Sequence, residues 1–151
     1  MLSRPTTPTT NTGMISQARF ECTKCGDCCV FAPGEVVWVT AEEVAAIERH
    51  LGHPINTKPD GDRRSLVPAT LPGHAEPPDA GPCELLDPQT KLCSAYPVRP
   101  AQCVSYPFWP SILRSNATWQ LEALRCEGIG RGELITEEQL LERLKKAPPG
   151  V

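Results

Sequence analysis

The sequence is poor in the side chains from which cores are built. Leu, Ile, Val and Phe together number 32 of 151 residues, and aromatic residues make up 5%. Large apolar residues at about a fifth of a chain sit at the lower edge of what a globular core requires. Burial alone is therefore a weak source of cohesion here. No apolar run approaches the ~18 residues of a membrane span, so a membrane-spanning helix is excluded. A long basic run is also missing, and a net charge of -3 offers no cationic face for nucleic acid. The first twenty residues, MLSRPTTPTTNTGMISQARF, lack the apolar stretch of a secretory signal. The expectation that follows is a reducing, cytoplasmic setting. A Ser/His/Asp triad, an HExxH motif and a nucleotide fingerprint are absent as well, so only a metal centre argues for catalysis and enzymatic activity stays open.

What the chain has instead is 17 prolines, 11 glycines and eight cysteines: Cys22, Cys25, Cys28, Cys29, Cys83, Cys93, Cys103 and Cys126. Eight cysteines allow 105 disulfide pairings. Four of them crowd into Cys22-Thr-Lys-Cys-Gly-Asp-Cys-Cys29, where cross-links between neighbours would hardly restrict the unfolded chain. Close spacing suits chelation better. A C-x-x-C turn presents two sulfurs to one ion, and Gly26 can supply the positive φ that such a turn needs. Two overlapping C-x-x-C units with an added vicinal cysteine form a much stronger signal than one. Eight thiols fit two tetrahedral four-cysteine zinc sites. They fit equally one iron-sulfur cluster with four cysteines left over, because C-x2-C-x2-C is also the run that ligates ferredoxin cubanes. The Cys-Pro step of those ferredoxins is missing, since Val104 follows Cys103. Successive side chains diverge by about 100° in a helical turn and 180° in a strand. Cys29 is therefore expected to point away from Cys28 and to be shared with, or committed to, a centre completed from Cys83, Cys93, Cys103 and Cys126.

The predicted architecture is a small α+β, loop-rich, metal-stapled domain with two short capped helices and few short strands. Residues 1–18 read as a disordered tail, 19–147 as the cysteine-cluster domain and 148–151 as a flexible C-terminus. Thr40-Ala-Glu-Glu43 is a capping box that opens a helix with Val44, Ile47 and Leu51 on one face and Gly52 as its stop. Thr136-Glu-Glu-Gln139 opens a second. Val36–Val39 and Ala117–Leu124 read as strands, the latter from its alternation of Trp119, Leu121 and Ala123. Residues 57–82 form a Pro-rich insertion, expected to be mobile, and Gly128–Gly132 a cramped glycine loop. His50, His53 and His74 lie outside the cysteine segments and read as surface residues.

Phe20-Glu-Cys-Thr-Lys-Cys-Gly-Asp-Cys-Cys29, Thr40-Ala-Glu-Glu43, Cys83, Leu92-Cys-Ser-Ala-Tyr96, Arg99-Pro-Ala-Gln-Cys-Val-Ser-Tyr-Pro-Phe108 and Cys126-Glu-Gly-Ile-Gly-Arg-Gly132 together resemble the CxxCxxCC zinc- or iron-chelating domain family, also called YkgJ-like cysteine cluster proteins. The resemblance spans roughly residues 20–132 and departs from the family in the insertion before Cys83. It implies chelation of zinc or iron by all eight cysteines. A relative with a similar cluster, flagellin lysine N-methylase, is associated with an iron-sulfur centre. An iron-sulfur-dependent enzyme, and metal storage or delivery, are thus alternatives to a chelating module that presents a protein-interaction surface.

Thiolate centres are anionic and require cations nearby. Arg99 precedes Cys103 by four residues, Arg125 adjoins Cys126 and Lys24 lies inside the knuckle, so these three are candidate donors to the sulfurs. Tyr96, Tyr106, Phe108 and Trp109 are expected to shield the site from water. If the cysteines are ligands, thiol alkylation followed by mass measurement under denaturing conditions should find eight reduced cysteines in fresh protein. Four disulfide bridges would end the idea.

Overall fold

A computed structural model describes residue 15 and residues 17–151. In chain order its elements are β1 (Ala18–Phe20), a 3-10 turn (Asp27–Cys29), β2 (Val30–Phe31), β3 (Trp38–Val39), α1 (Ala41–Leu51), β4 (Thr57–Asp60), β5 (Arg63–Leu66) and β6 (Gly81–Pro82). A second 3-10 turn (Tyr96–Val98), α2 (Ala101–Ser105), α3 (Pro110–Leu113), α4 (Asn116–Ala123), β7 (Ile129–Ile135) and α5 (Glu137–Leu144) complete it. The fold is small and mixed α+β, with short antiparallel strands in separate two- and three-stranded sheets. No helix among the described residues is long and apolar enough to cross a membrane.

The expected disordered tail falls largely outside the described residues. At its end Ile15 and Ala18 are buried, and Ala18 begins β1, so ordered structure starts before residue 19. The apolar residues divide into two small cores rather than one. The first gathers Ala18, Phe108, Ile112, Leu113, Trp119, Ile135 and Leu140 around the β1–β7 pair and α3 to α5. The second gathers Phe31, Val39, Ile47, Leu66, Leu85 and Ala95 around β2 to β5 and α1. This division is the structural consequence of a chain with too few large apolar residues for a single thick core.

Both predicted capping boxes form. Thr40 Oγ1 accepts from Glu43 N at 3.1 Å while Glu43 Oε2 accepts from Thr40 N at 2.9 Å. Thr136 and Gln139 exchange the same pair of bonds. Ile47 on α1 is fully buried, and Gly52 closes the helix at φ 77°.

Three further helices were not expected. Ala117–Leu124 is the clearest departure, because it belongs to α4 as far as Ala123, with Leu124 as the cap, and is not a strand. Ser115 and Thr118 form a third capping box, and only Trp119 of the alternating set is buried while Leu121 is 66% exposed. Local capping outweighs a period-two pattern of three residues. Val36–Val39 pairs only over Trp38–Val39. The glycine stretch from 128 to 132 is strand rather than loop from Ile129 onward, paired with β1 across a register shift at Arg19/Phe20. Within the 57–82 insertion, β4 and β5 form a hairpin that also pairs with β3, and Leu66 and Val67 are buried.

One side chain links these helices to the cysteine region. Glu43 completes the α1 cap with one oxygen and accepts from Ala101 N with the other at 2.9 Å, so α1 also satisfies the first turn of α2, which carries Cys103. Glu43→Ala removes both functions and leaves Ala101 N without its partner. Chemical denaturation should show a loss of about 1–3 kcal/mol, and a change below 0.5 kcal/mol would show that the link contributes little.

Candidate metal centre

The knuckle is shaped by backbone constraints at two glycines. Gly26 adopts φ 83°, and a Cβ there would come within 2.6 Å of Lys91 O, so both conformation and space require glycine. It opens the 3-10 turn, with Cys29 N donating to Gly26 O at 3.0 Å. Gly128 is required for a different reason: a Cβ would collide with Glu21 O, because the loop after Cys126 packs directly on the strand that enters the knuckle. Glu21 N donates to Gly128 O at 3.0 Å.

Strand pairing brings the distal cysteines in. Val30 pairs with Pro82 across β2 and β6, and Cys83 N donates to Cys29 O at 2.7 Å. Cys93 follows a loop braced by Asp87, whose Oδ1 accepts from Gln89 N and Thr90 N, and a bridge pairs it with Leu86. Cys103 lies on α2, and Cys126 N donates to Glu122 O as α4 ends. All eight cysteines are free thiols. Seven of them, all but Cys83, line one cavity of about 250 Å³ together with Phe20, Tyr96, Arg99 and Tyr106. Its walls come from both apolar cores, so the thiols lie at the seam between them.

Five of the thiols, Cys28, Cys83, Cys93, Cys103 and Cys126, resist ionisation. Burial pushes Cys83 up to about 12, against the pull of the Leu85 N–H on its sulfur. Cys103 is also pushed up to about 12, by burial and then by Cys83, Cys93 and Cys28 around it. Cys93 and Cys126 are raised first by burial, each opposed by a backbone N–H aimed at the sulfur, from Ala95 and from Gly128 and Ile129 respectively. Cys28 is raised first by a hydrogen bond with the Cys29 thiol. The two are successive residues of the 3-10 turn, about 120° apart around its axis, and both line the same cavities.

The basic candidates occupy distinct positions. Arg99 donates from Nε to Tyr96 O at 3.0 Å, stacks 3.8 Å from the Tyr96 ring centroid and eases ionisation of Cys93 and Cys103. Arg125 pairs with Glu35, donates to Val30 O at 2.9 Å and lowers Cys28, so it fastens the knuckle to the segment after α4. Glu35 carried no motif that marked it in the sequence. Lys24 sits with Nζ 5.5 Å from the Tyr96 ring centroid. Tyr96 and Tyr106 line the cavity, whereas Phe108 lies in the first core and Trp109 lines a neighbouring cavity. His50, His53 and His74 are exposed and line none of the cavities described here. Sequence patterns also gave no sign of the N–H donors at Leu85, Ala95 and Gly128, because backbone groups acquire roles only in a folded turn.

The donor set suits zinc or iron: thiols of reduced cysteine, N–H groups aimed at sulfur, and cations nearby. As placed, no three His, Cys, Asp or Glu side chains among the described residues are gathered closely enough to hold an ion. The family model described as "CxxCxxCC: Putative zinc- or iron-chelating domain" matches residues 21–127. No solved structure matches the chain.

Unfolded thiols titrate near 9.0, below the raised values of Cys83, Cys93, Cys103 and Cys126 in the folded chain. The unfolded state therefore loses these protons first, and alkali favours unfolding. Stability of the metal-free protein should hold below about pH 9 and fall as pH rises toward 12, at up to about 1.4 kcal/mol per pH unit for each fully buried thiol. Denaturation midpoints between pH 7 and 10.5 test this; a midpoint that rises with pH would contradict it.

Proposed function

The chain belongs to the CxxCxxCC family of zinc- or iron-chelating domains, and from that premise we propose that its eight cysteines are the reduced ligands of a centre that holds the domain together. The observation that carries this reading is the gathering of thiols from five separate segments at the seam of two thin cores. A bound divalent cation supplies the charge that lets desolvated thiols ionise and tethers the segments that carry them. Its binding free energy then becomes folding free energy. Arg99, which forms no ion pair with a described residue, and Arg125 would donate to the thiolates, while Lys24 would reduce their net charge from the rim. Arg125 acts through backbone carbonyls of the knuckle as much as through charge. The reading calls for a reducing compartment such as the cytoplasm, where thiols persist.

An iron-sulfur centre is the second reading. The C-x2-C-x2-C run and the N–H groups directed at Cys83, Cys93 and Cys126 favour it, because such hydrogen bonds stabilise cluster thiolates. Colour and composition separate the two: zinc sites are colourless, whereas a cluster is brown and carries acid-labile sulfide in step with iron. Protein purified without oxygen should contain zinc or iron, and its complete removal should lower the thermal midpoint and open residues 20–132 to protease. Unchanged circular dichroism and protease resistance after removal would mean that the metal is an accessory.

A further inference from the structure

We infer that the cysteines form two unequal four-sulfur centres: an inner one of Cys29, Cys83, Cys93 and Cys103 that retains its ion, and an outer one of Cys22, Cys25, Cys28 and Cys126 that exchanges its ion with solvent. This rests on the chelation reading above and divides its ligands. Two adjoining cavities carry the division. The smaller, about 30 Å³, is the one that Cys83 lines, and its wall is otherwise largely apolar, with Phe31, Val37, Leu66 and Leu85. That is room for one water-sized occupant. The larger is the one that Cys22, Cys25 and Cys126 line.

Cys28, Cys29, Cys93 and Cys103 border both cavities, and their surroundings sort them. Cys29 and Cys93 pack against the second apolar core, of which Cys83 is a member, and Cys29 O accepts from Cys83 N. Cys103 lines the smaller cavity beside Cys83 and Cys93. On the other side, Cys126 lines the larger cavity with Cys25 and Cys28, and Cys22 and Cys28 are exposed whereas Cys83 is buried. Cys28 also lines the smaller cavity with Cys93 and Cys103, so the vicinal pair is where the two centres touch, one thiol to each.

Loading each centre replaces four thiol protons by one divalent cation: Zn²⁺ and four R–SH give a dianionic four-thiolate site and four H⁺, with no change in oxidation state. An incoming chelator reaches the outer ion from solvent. At the inner site it meets the packed second core, so release there waits on opening of that core.

The test is zinc release from the zinc-loaded full-length chain into excess 4-(2-pyridylazo)resorcinol, followed by absorbance. Two ions per chain should leave in two phases of equal amplitude, the slow one at least about tenfold slower. Cys126→Ser and, independently, Cys22→Ser should each hold one ion and lose only the fast phase. Release of all zinc in one phase, two ions retained by both variants, or loss of the slow phase instead would overturn the partition while leaving chelation intact. A wild-type chain that takes up neither zinc nor iron would remove the chelation reading and the partition with it.

Discussion

The constraint on which the structure depends is that buried thiols ionise only beside a cation. Cys83 and Cys103 are both pushed up to about 12 by burial among apolar and sulfur neighbours, so these two thiols hold their protons. Neutral thiols attract one another weakly, and seven of them line a cavity of about 250 Å³. In the proposed centre a divalent cation would reverse this balance, making the thiolate the favoured form and turning the sulfurs into anchors.

Two thin cores are what such an anchor would join. The first depends on Trp119, Phe108 and Leu113 and the second on Ile47, Leu66 and Phe31. Apart from the cysteines, the bonds that cross between their segments include Arg125 to Glu35 and Val30 O, and Trp109 Nε1 to Gln102 O at 3.0 Å. Gln102 itself is buried and pins β3, accepting from Trp38 N and donating to Val36 O, each at 2.8 Å. Exposed ion pairs contribute little on their own, so these polar links align the halves more than they bind them. Metal binding to thiolate is strong enough to do the binding.

Much of this was legible in the sequence where a local rule had no competitor. The Thr40 and Thr136 boxes announced their helices because capping chemistry is confined to four residues, and Gly26 between two cysteines announced a tight turn. Legibility failed where distant partners decide. Trp119, Leu121 and Ala123 alternate as in a strand, yet the Ser115 cap makes them helix. Gly130 and Gly132 fall in a strand because β1 lies beside β7. Proximity of Cys83 to Cys29 follows from the β2–β6 pairing of two residues each, a signal too short to read from one chain. Glu35, the partner of Arg125, sits 90 positions away in the sequence, a separation across which no local pattern extends.

Hydrogen exchange measured residue by residue, with and without bound metal, tests most directly whether the cation joins the two cores. Amides of α1 around Ile47 and of α5 around Leu140 belong to different cores. If the metal is the joint, both sets should lose protection together and to a similar extent when it is removed. Protection that survives unchanged in both helices, in protein shown to be free of metal, would contradict the account.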